Sequence, residues 1–260
     1  MKSPQVVLGM RRLVDRVRGD AYTPSKAGGG FHLWWQGMPT AEDPDPMVSV
    51  SATLEVLRPP EVAKLYFWAL QATFCDEHGT PLGAAHAGLQ WNPRHPGSRA
   101  VNWGGYRTNG ASNETLTGTV SKLEGIPGDV NTYNFPWKPN RPYRFDIERS
   151  GIGWRATITD VEAKETTVIR DLSVGGDRLA NVVMWTELFC GRSDPPASVR
   201  WTTPWARRMS GEVVQPTGMT VRYPGGSKWR RTATSWDGTG FVQATDSRRT
   251  VPEASVLPNV

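Results

Sequence analysis

The run Ala85-His86-Ala87-Gly88-Leu89-Gln90-Trp91 carries an imidazole and a carboxamide at alternate positions with a glycine between them. Successive side chains of an extended strand point to opposite faces, so His86, Gly88 and Gln90 share one face while Ala85, Ala87, Leu89 and Trp91 share the other. The run Ala100-Val101-Asn102-Trp103-Gly104-Gly105-Tyr106 likewise sets Asn102 apart from Trp103. Imidazole, carboxamides and nearby rings suit a sugar, because a pyranose stacks on Trp or Tyr while its hydroxyls need paired donors and acceptors. The expected ligand-binding set is His86, Gln90, Asn102, Trp103, Tyr106, Trp185 and Glu187. For each polar member taken singly, satisfying buried backbone is the competing role.

Glu187 is the most informative acid, since the run Trp185-Thr186-Glu187-Leu188-Phe189 puts it on one strand face with Trp185 and Phe189. A carboxylate among aromatic rings is desolvated, which is how a general acid is made. The candidate catalytic residues are therefore Glu187 as proton donor, or His86 and Tyr106 as base and acid. Glycoside hydrolysis takes two carboxylates facing one cleft, and no second acid pairs with Glu187 in the strand pattern. Asp146 and Glu148 alternate with apolar residues beside Arg144 and belong to a solvated face. The four histidines and two cysteines have no zinc spacing, so neither a metal nor a cofactor is expected. The acidic turn Glu42-Asp43-Pro44-Asp45 offers oxygen ligands for calcium, with a plain solvated turn as the stronger reading. No nucleophile elbow, phosphate loop or dinucleotide fingerprint occurs.

The elements that must hold these residues are strands. From residue 30 to about 245, short β-branched and aromatic runs alternate with Gly, Pro, Asn and Asp clusters, the mark of an all-β sandwich or barrel. Thirteen runs fit, among them Met47–Leu57, Lys64–Cys75, Ala84–Trp91, Ala100–Trp103, Thr115–Leu123, Leu179–Cys190 and Ser235–Val242. Val48 to Val56 alternates cleanly, so one face packs and the other meets solvent. Leu65 to Phe74 and Val182 to Phe189 are apolar on both faces, and their second face must be covered or line a cleft. With 260 residues, 38% of them hydrophobic, the chain is long enough to bury a core without disulfide staples. No apolar stretch reaches the length of a membrane-spanning helix.

Residues 4–19 place Val6, Met10, Leu13, Val14 and Val17 on one helical face and read as a short amphipathic helix packed on the domain. The expected organisation is an N-terminal helix and Gly-rich linker over 1–29, a sandwich over 30–245 and a loosely held tail over 246–260. The arginines follow the apolar part of the helix, the reverse of an export signal, so the expected address is cytoplasmic and Cys75 and Cys190 are expected as free thiols. The net charge of +5 comes without any nucleic-acid-binding motif, and no nucleic-acid partner is expected.

The words Tyr66-Phe67-Trp68-Ala69, Ala85 to Trp91, Asn102-Trp103-Gly104-Gly105-Tyr106, Trp185 to Cys190 and Val199-Arg200-Trp201 resemble an uncharacterised family of bacterial, notably actinobacterial, proteins. More distantly the chain is similar to a group of domains thought to form concanavalin-A-like sandwiches. That resemblance implies an all-β, two-sheet antiparallel jelly roll and brings no activity with it. Together these readings lead to a non-catalytic, lectin-like carbohydrate-binding sandwich. The alternatives are a glycoside hydrolase or polysaccharide lyase on the same face, and a structural or interaction module.

Overall fold

A computed structural model describes residues 29–108, 113–189, 194–223, 232–245 and 247–259. The expected N-terminal helix lies outside them. Strands dominate the described residues, every pairing is antiparallel, and the one helical element is the 3-10 turn Pro96–Ser98. None of the described residues forms a helix long and apolar enough to cross a membrane.

The strands form two layers. The front layer runs β17 (Val256–Pro258), β14 (Gly218–Arg222), β1 (Gly29–Gln36), β11 (Arg178–Leu188), β3 (Tyr66–Cys75), β4 (Pro81–Trp91) and β5 (Arg99–Thr108). The short strands β6 (Asn113–Thr115) and β7 (Thr132–Asn134) flank β5. The back layer runs β10 (Glu165–Leu172), β9 (Gly153–Asp160), β8 (Pro142–Ser150), β2 (Met47–Arg58), β12 (Ser198–Arg208), β16 (Phe241–Ala244) and β15 (Ala233–Trp236). β13 (Val213–Val214) adds to the far end of β12. Alternate side chains from both layers meet in one core: Leu33, Trp68, Phe74, Leu89, Trp103 and Met184 in front, and Val50, Leu54, Phe145, Trp154, Ile158 and Trp201 behind. The expected all-β antiparallel sandwich is thus present as one curled sheet, whose two layers join where Leu179 of β11 pairs with Met47 of β2.

Several boundaries differ from the sequence expectation. The run Ser235 to Val242 is two strands, because Asp237-Gly238 makes a hairpin turn in which the Asp237 carboxylate accepts from the Thr239 and Gly240 amides. Residues 116–123 form an irregular segment that runs alongside β10, with a bridge from Gly118 to Leu172, the Thr119 amide donating to the Asp171 carbonyl and the Asp171 amide to Thr119 Oγ1. The tail expected to be loose contributes β17, which satisfies the open edge of β14, and Asn259 Nδ2 donates to the Pro216 carbonyl. The acidic turn is closed by a resident cation: Arg208 reaches Asp43 at 2.9 Å and Asp45 at 3.0 Å, leaving those carboxylates neutralised rather than poised for calcium.

Two polar clips join the layers. Arg170 of β10 is buried and donates to the Trp103 carbonyl of β5 at 3.2 Å and to Asn131 Oδ1 at 2.6 Å, closing one side. Gln243 of β16 is buried in the interior, where its Oε1 accepts from Thr186 Oγ1 at 2.8 Å and Trp201 Nε1 at 3.2 Å. Its Nε2 donates to the Phe31 carbonyl at 2.8 Å. One carboxamide therefore ties β16 and β12 to β11 and β1. Replacing Gln243 with Leu leaves a hydroxyl, an indole N–H and a carbonyl without that partner, and at roughly 1–3 kcal/mol for each buried orphan the expected loss is about 3–9 kcal/mol. Urea melts of Gln243→Leu against wild type measure it.

Candidate functional site

The outer face of the front layer is built from hydrogen-bonded rows that cross the strands. One row contains Gly30, Glu187, Phe67, Gln90 and Ala100; the next contains His32, Trp185, Ala69, Gly88 and Asn102; a third contains Trp34, Val183, Gln71, His86 and Gly104. The period of two in each run is what gathers these residues, since paired residues of neighbouring strands share a face. Of the expected site residues, His86, Gln90, Asn102, Tyr106, Trp185 and Glu187 lie on this face. Trp103 does not: it is fully buried on the opposite face, edge-on to Phe74 at 6.3 Å, and is a core residue. Odd and even positions of β5 cannot serve the same surface.

Burial divides the face into a floor and a rim. Glu187 is 3% exposed, Gln90 and Asn102 are each 5% exposed, and Phe67, Ala69, Val183 and Trp185 form a small apolar cluster between them. His32, Trp34, Gln71, His86 and Tyr106 are partly exposed and surround that floor. Phe67 packs edge-on against Trp185 at 4.9 Å, and the His86 imidazole stands edge-on to both, 5.3 Å from Phe67 and 5.5 Å from Trp185. The Trp185 indole donates to Gln71 Oε1 at 3.2 Å. Phe67, Gln71, Trp34 and His32 were not singled out from the sequence, although the doubly apolar run Leu65 to Phe74 signalled a second covered face.

The orientation of Gln90 follows from a chain of bonds. The Arg94 backbone N–H donates to Asn92 Oδ1 at 3.1 Å, so the other end of Asn92 is its donor, and Asn92 Nδ2 gives its hydrogen to Gln90 Oε1 at 2.9 Å. Gln90 Oε1 is therefore taken as an acceptor, and Nε2 is its donor end. The buried Trp137 indole holds the Gln90 carbonyl at 3.1 Å and fixes the backbone beneath. Asn102 Nδ2 donates to Thr132 Oγ1 at 3.0 Å, and its buried Oδ1 has no hydrogen-bond partner. A side chain at Gly88, beside Asn102, would run into the Trp68 carbonyl, so that place in the row stays empty.

Charge on this face is sparse. Among the described strand positions of β1, β3, β4, β5, β11 and β14 that point outward, Glu187 is the carboxylate. Burial raises the Tyr106 phenol, and the Glu187 charge pushes it further up. Burial lowers the His86 imidazole to about 4, leaving it neutral at pH 7 and a weak base. His32 is lowered by burial, with Glu253 partly opposing. No group of three His, Cys, Asp or Glu suited to a metal occurs among the described residues. Cys75 is a buried free thiol raised to about 11 by desolvation, which makes it unreactive, and Cys190 lies outside the described residues.

No protein-family model and no curated protein matches the chain. Among solved structures it is similar to a scytalido-glutamic peptidase bound to a peptide-based transition-state analogue, at 12% identity and a TM-score of 0.43, over 85% of this chain and 98% of that one. It is also similar to SCP-B, a member of the eqolisin family of peptidases in complex with the tripeptide Ala-Ile-His, at 12% identity and a TM-score of 0.42, over 85% and 98%. The resemblance to an actinobacterial family gains no matching family model. The lectin-like expectation is corrected on geometry: the two tryptophans assigned to sugar stacking have no open face. Trp185 is 4% exposed with Phe67 and His86 against it, and Trp103 is in the core.

The site also fixes a pH dependence. A histidine lowered to about 4 in the fold but near 6.5 when unfolded takes up its proton more readily in the unfolded chain. Its stabilising effect is complete above pH 6.5 and is lost as the pH falls toward 4. Between pH 7.5 and 5 the expected loss from this group is about 2 kcal/mol. In His86→Phe that part of the slope disappears, which denaturant melts at the two pH values will show.

Proposed function

We propose that the outer face of the front layer is an acyl-hydrolase site acting on polypeptide, with Glu187 as general acid–base and Gln90 as the neutral donor to the carbonyl oxygen. The observation that carries this reading is the row joining the two residues: Glu187, then Phe67, then Gln90 with Nε2 as its donor end. Two strand spacings separate their backbones, about 10 Å. Phe67 stands between them in the row, so one planar acyl group and the water that attacks it would lie over its ring. Glu187 takes the proton of that water as the oxygen bonds to the carbonyl carbon, the Gln90 amide donates to the oxygen that gains charge, and the proton then passes to the leaving amine. The desolvated floor strengthens both interactions, because charge developing there is poorly screened.

The same geometry weakens the carbohydrate alternatives. Glycoside hydrolysis works with a pair of carboxylates, and the described outward strand positions of this face supply one. Polysaccharide elimination by His86 and Tyr106 would need a base stronger than an imidazole lowered to about 4.

The test is hydrolysis of a quenched-fluorescent, unstructured polypeptide by the purified protein between pH 3 and 8. Removing an essential acid–base or an oxyanion donor typically costs about 10²–10⁴ in rate. Glu187→Gln is therefore expected to lose at least about 100-fold in kcat and Gln90→Ala about as much, both retaining a cooperative melt. A folded Glu187→Gln protein with full activity overturns the assignment. So does release of reducing sugar from a polysaccharide with no cleavage of the polypeptide.

A further inference from the structure

We propose that Asn102 is a substrate-binding residue that holds a main-chain amide of an extended polypeptide, one row away from the bond being cut. This deepens the acyl-hydrolase reading and rests on it for the direction of the chain, though the binding contact can be measured without turnover. Asn102 is only 5% exposed, and its Oδ1 has no partner while Nδ2 is held by Thr132. A buried carboxamide left half-satisfied destabilises the protein unless something supplies the missing bond. Its neighbours in the row, Gly88 and Ala69, carry too little side chain to do so.

The spacing identifies what fits. Asn102 pairs with Gly88, and Gly88 lies two residues before Gln90 on β4, so Asn102 and Gln90 occupy successive rows on adjacent strands. Rows on one face repeat every two residues, about 6.8 Å along the strand, and an extended peptide lying parallel to the strands repeats its amides with that same period. When the reacting carbonyl is at Gln90 Nε2, an amide two residues along the substrate reaches the row of Asn102. A peptide group offers an N–H and a C=O together, so it satisfies the carboxamide whichever way its two ends are placed. Phe67, Ala69 and Trp185 provide the apolar floor beneath.

The experiment pairs substrate and protein changes. A cleavable peptide is N-methylated at each amide in turn, which removes one donor, and tested on wild type and Asn102→Leu. In wild type one methylated position, two residues from the cleaved bond, is expected to raise KM at least tenfold with kcat within twofold. Asn102→Leu is expected to raise KM for the parent peptide similarly and to discriminate the methylated peptide less than twofold. Asn102→Leu also takes a donor from the buried Thr132 hydroxyl, so the free variant is expected to melt somewhat lower, and the raised KM with lost discrimination is what separates a binding role from a merely structural one. Equal discrimination by both proteins, or a lowered melting temperature with unchanged KM, overturns the proposal. If wild type cleaves no peptide, calorimetric titration of the same pair of peptides into Glu187→Gln reads the contact alone. Tenfold weaker binding of the methylated peptide then upholds Asn102 while the hydrolytic reading fails, and equal or no binding overturns Asn102 too.

Discussion

The sandwich depends on one buried carboxamide. Gln243 accepts from Thr186 and Trp201 and donates to the Phe31 carbonyl, so it sets how β16 and β12 of the back layer stand against β11 and β1 of the front. Thr186 precedes Glu187, and a strand alternates its faces. Holding the threonine hydroxyl inward therefore holds the glutamate outward. A slip of one residue in β11 would bury a carboxylate against Trp201 and expose the apolar set Val182, Met184 and Leu188. The directionality of hydrogen bonds supplies a register that apolar packing alone specifies less sharply.

The front layer must also be covered on both faces, and that requirement shapes the site. Its inner face packs on the back layer, while its outer face carries Phe67, Ala69, Val183 and Trp185, with Trp34 against them. Apolar rings cannot remain in open water at this density without cost, so the polar residues around them are drawn into contact: Gln71 takes the indole hydrogen of Trp185, and His86 stands against two rings. The consequence is a low-dielectric floor on which the charge of Glu187 reaches as far as the Tyr106 phenol.

Much of this was legible in period-two alternation. The faces of β4, β5 and β11 were readable residue by residue, and so was the doubly apolar character of β3 and β11, because each depends on strand parity alone. Exposure was not. The sequence placed Trp185 beside Glu187 but could not show that Phe67 and His86, from strands distant along the chain, close around its ring, and a sugar platform was inferred where a packed indole stands. Trp103 was read into the site by proximity although its parity assigns it to the core. Gln243 shows the converse: it shares its face with the buried Phe241, a signal that was present, yet a polar residue near the end of the β-rich region passes for a surface one unless its parity is followed.

The orientation of Gln90 shows why the candidate chemistry needs tertiary contacts that no short motif encodes. A carboxamide presents either a donor or an acceptor, and only the donor can stabilise a developing oxyanion. Here the choice is made two residues away, where a backbone N–H at Arg94 occupies the oxygen of Asn92 and turns its amide toward Gln90. The turn that creates that N–H is held in turn by His95 and Ser98, through the bonds from the His95 amide to the Asn92 carbonyl and from the Asn92 amide to the Ser98 carbonyl. A loop that meets the site's floor only through Asn92 thus decides the polarity of one of its two principal groups. The other, Glu187, has its face decided from beneath by Gln243. Both are fixed by hydrogen bonds made before any ligand arrives, so under the proposed hydrolysis little reorganisation would be left to oppose charge development in the transition state.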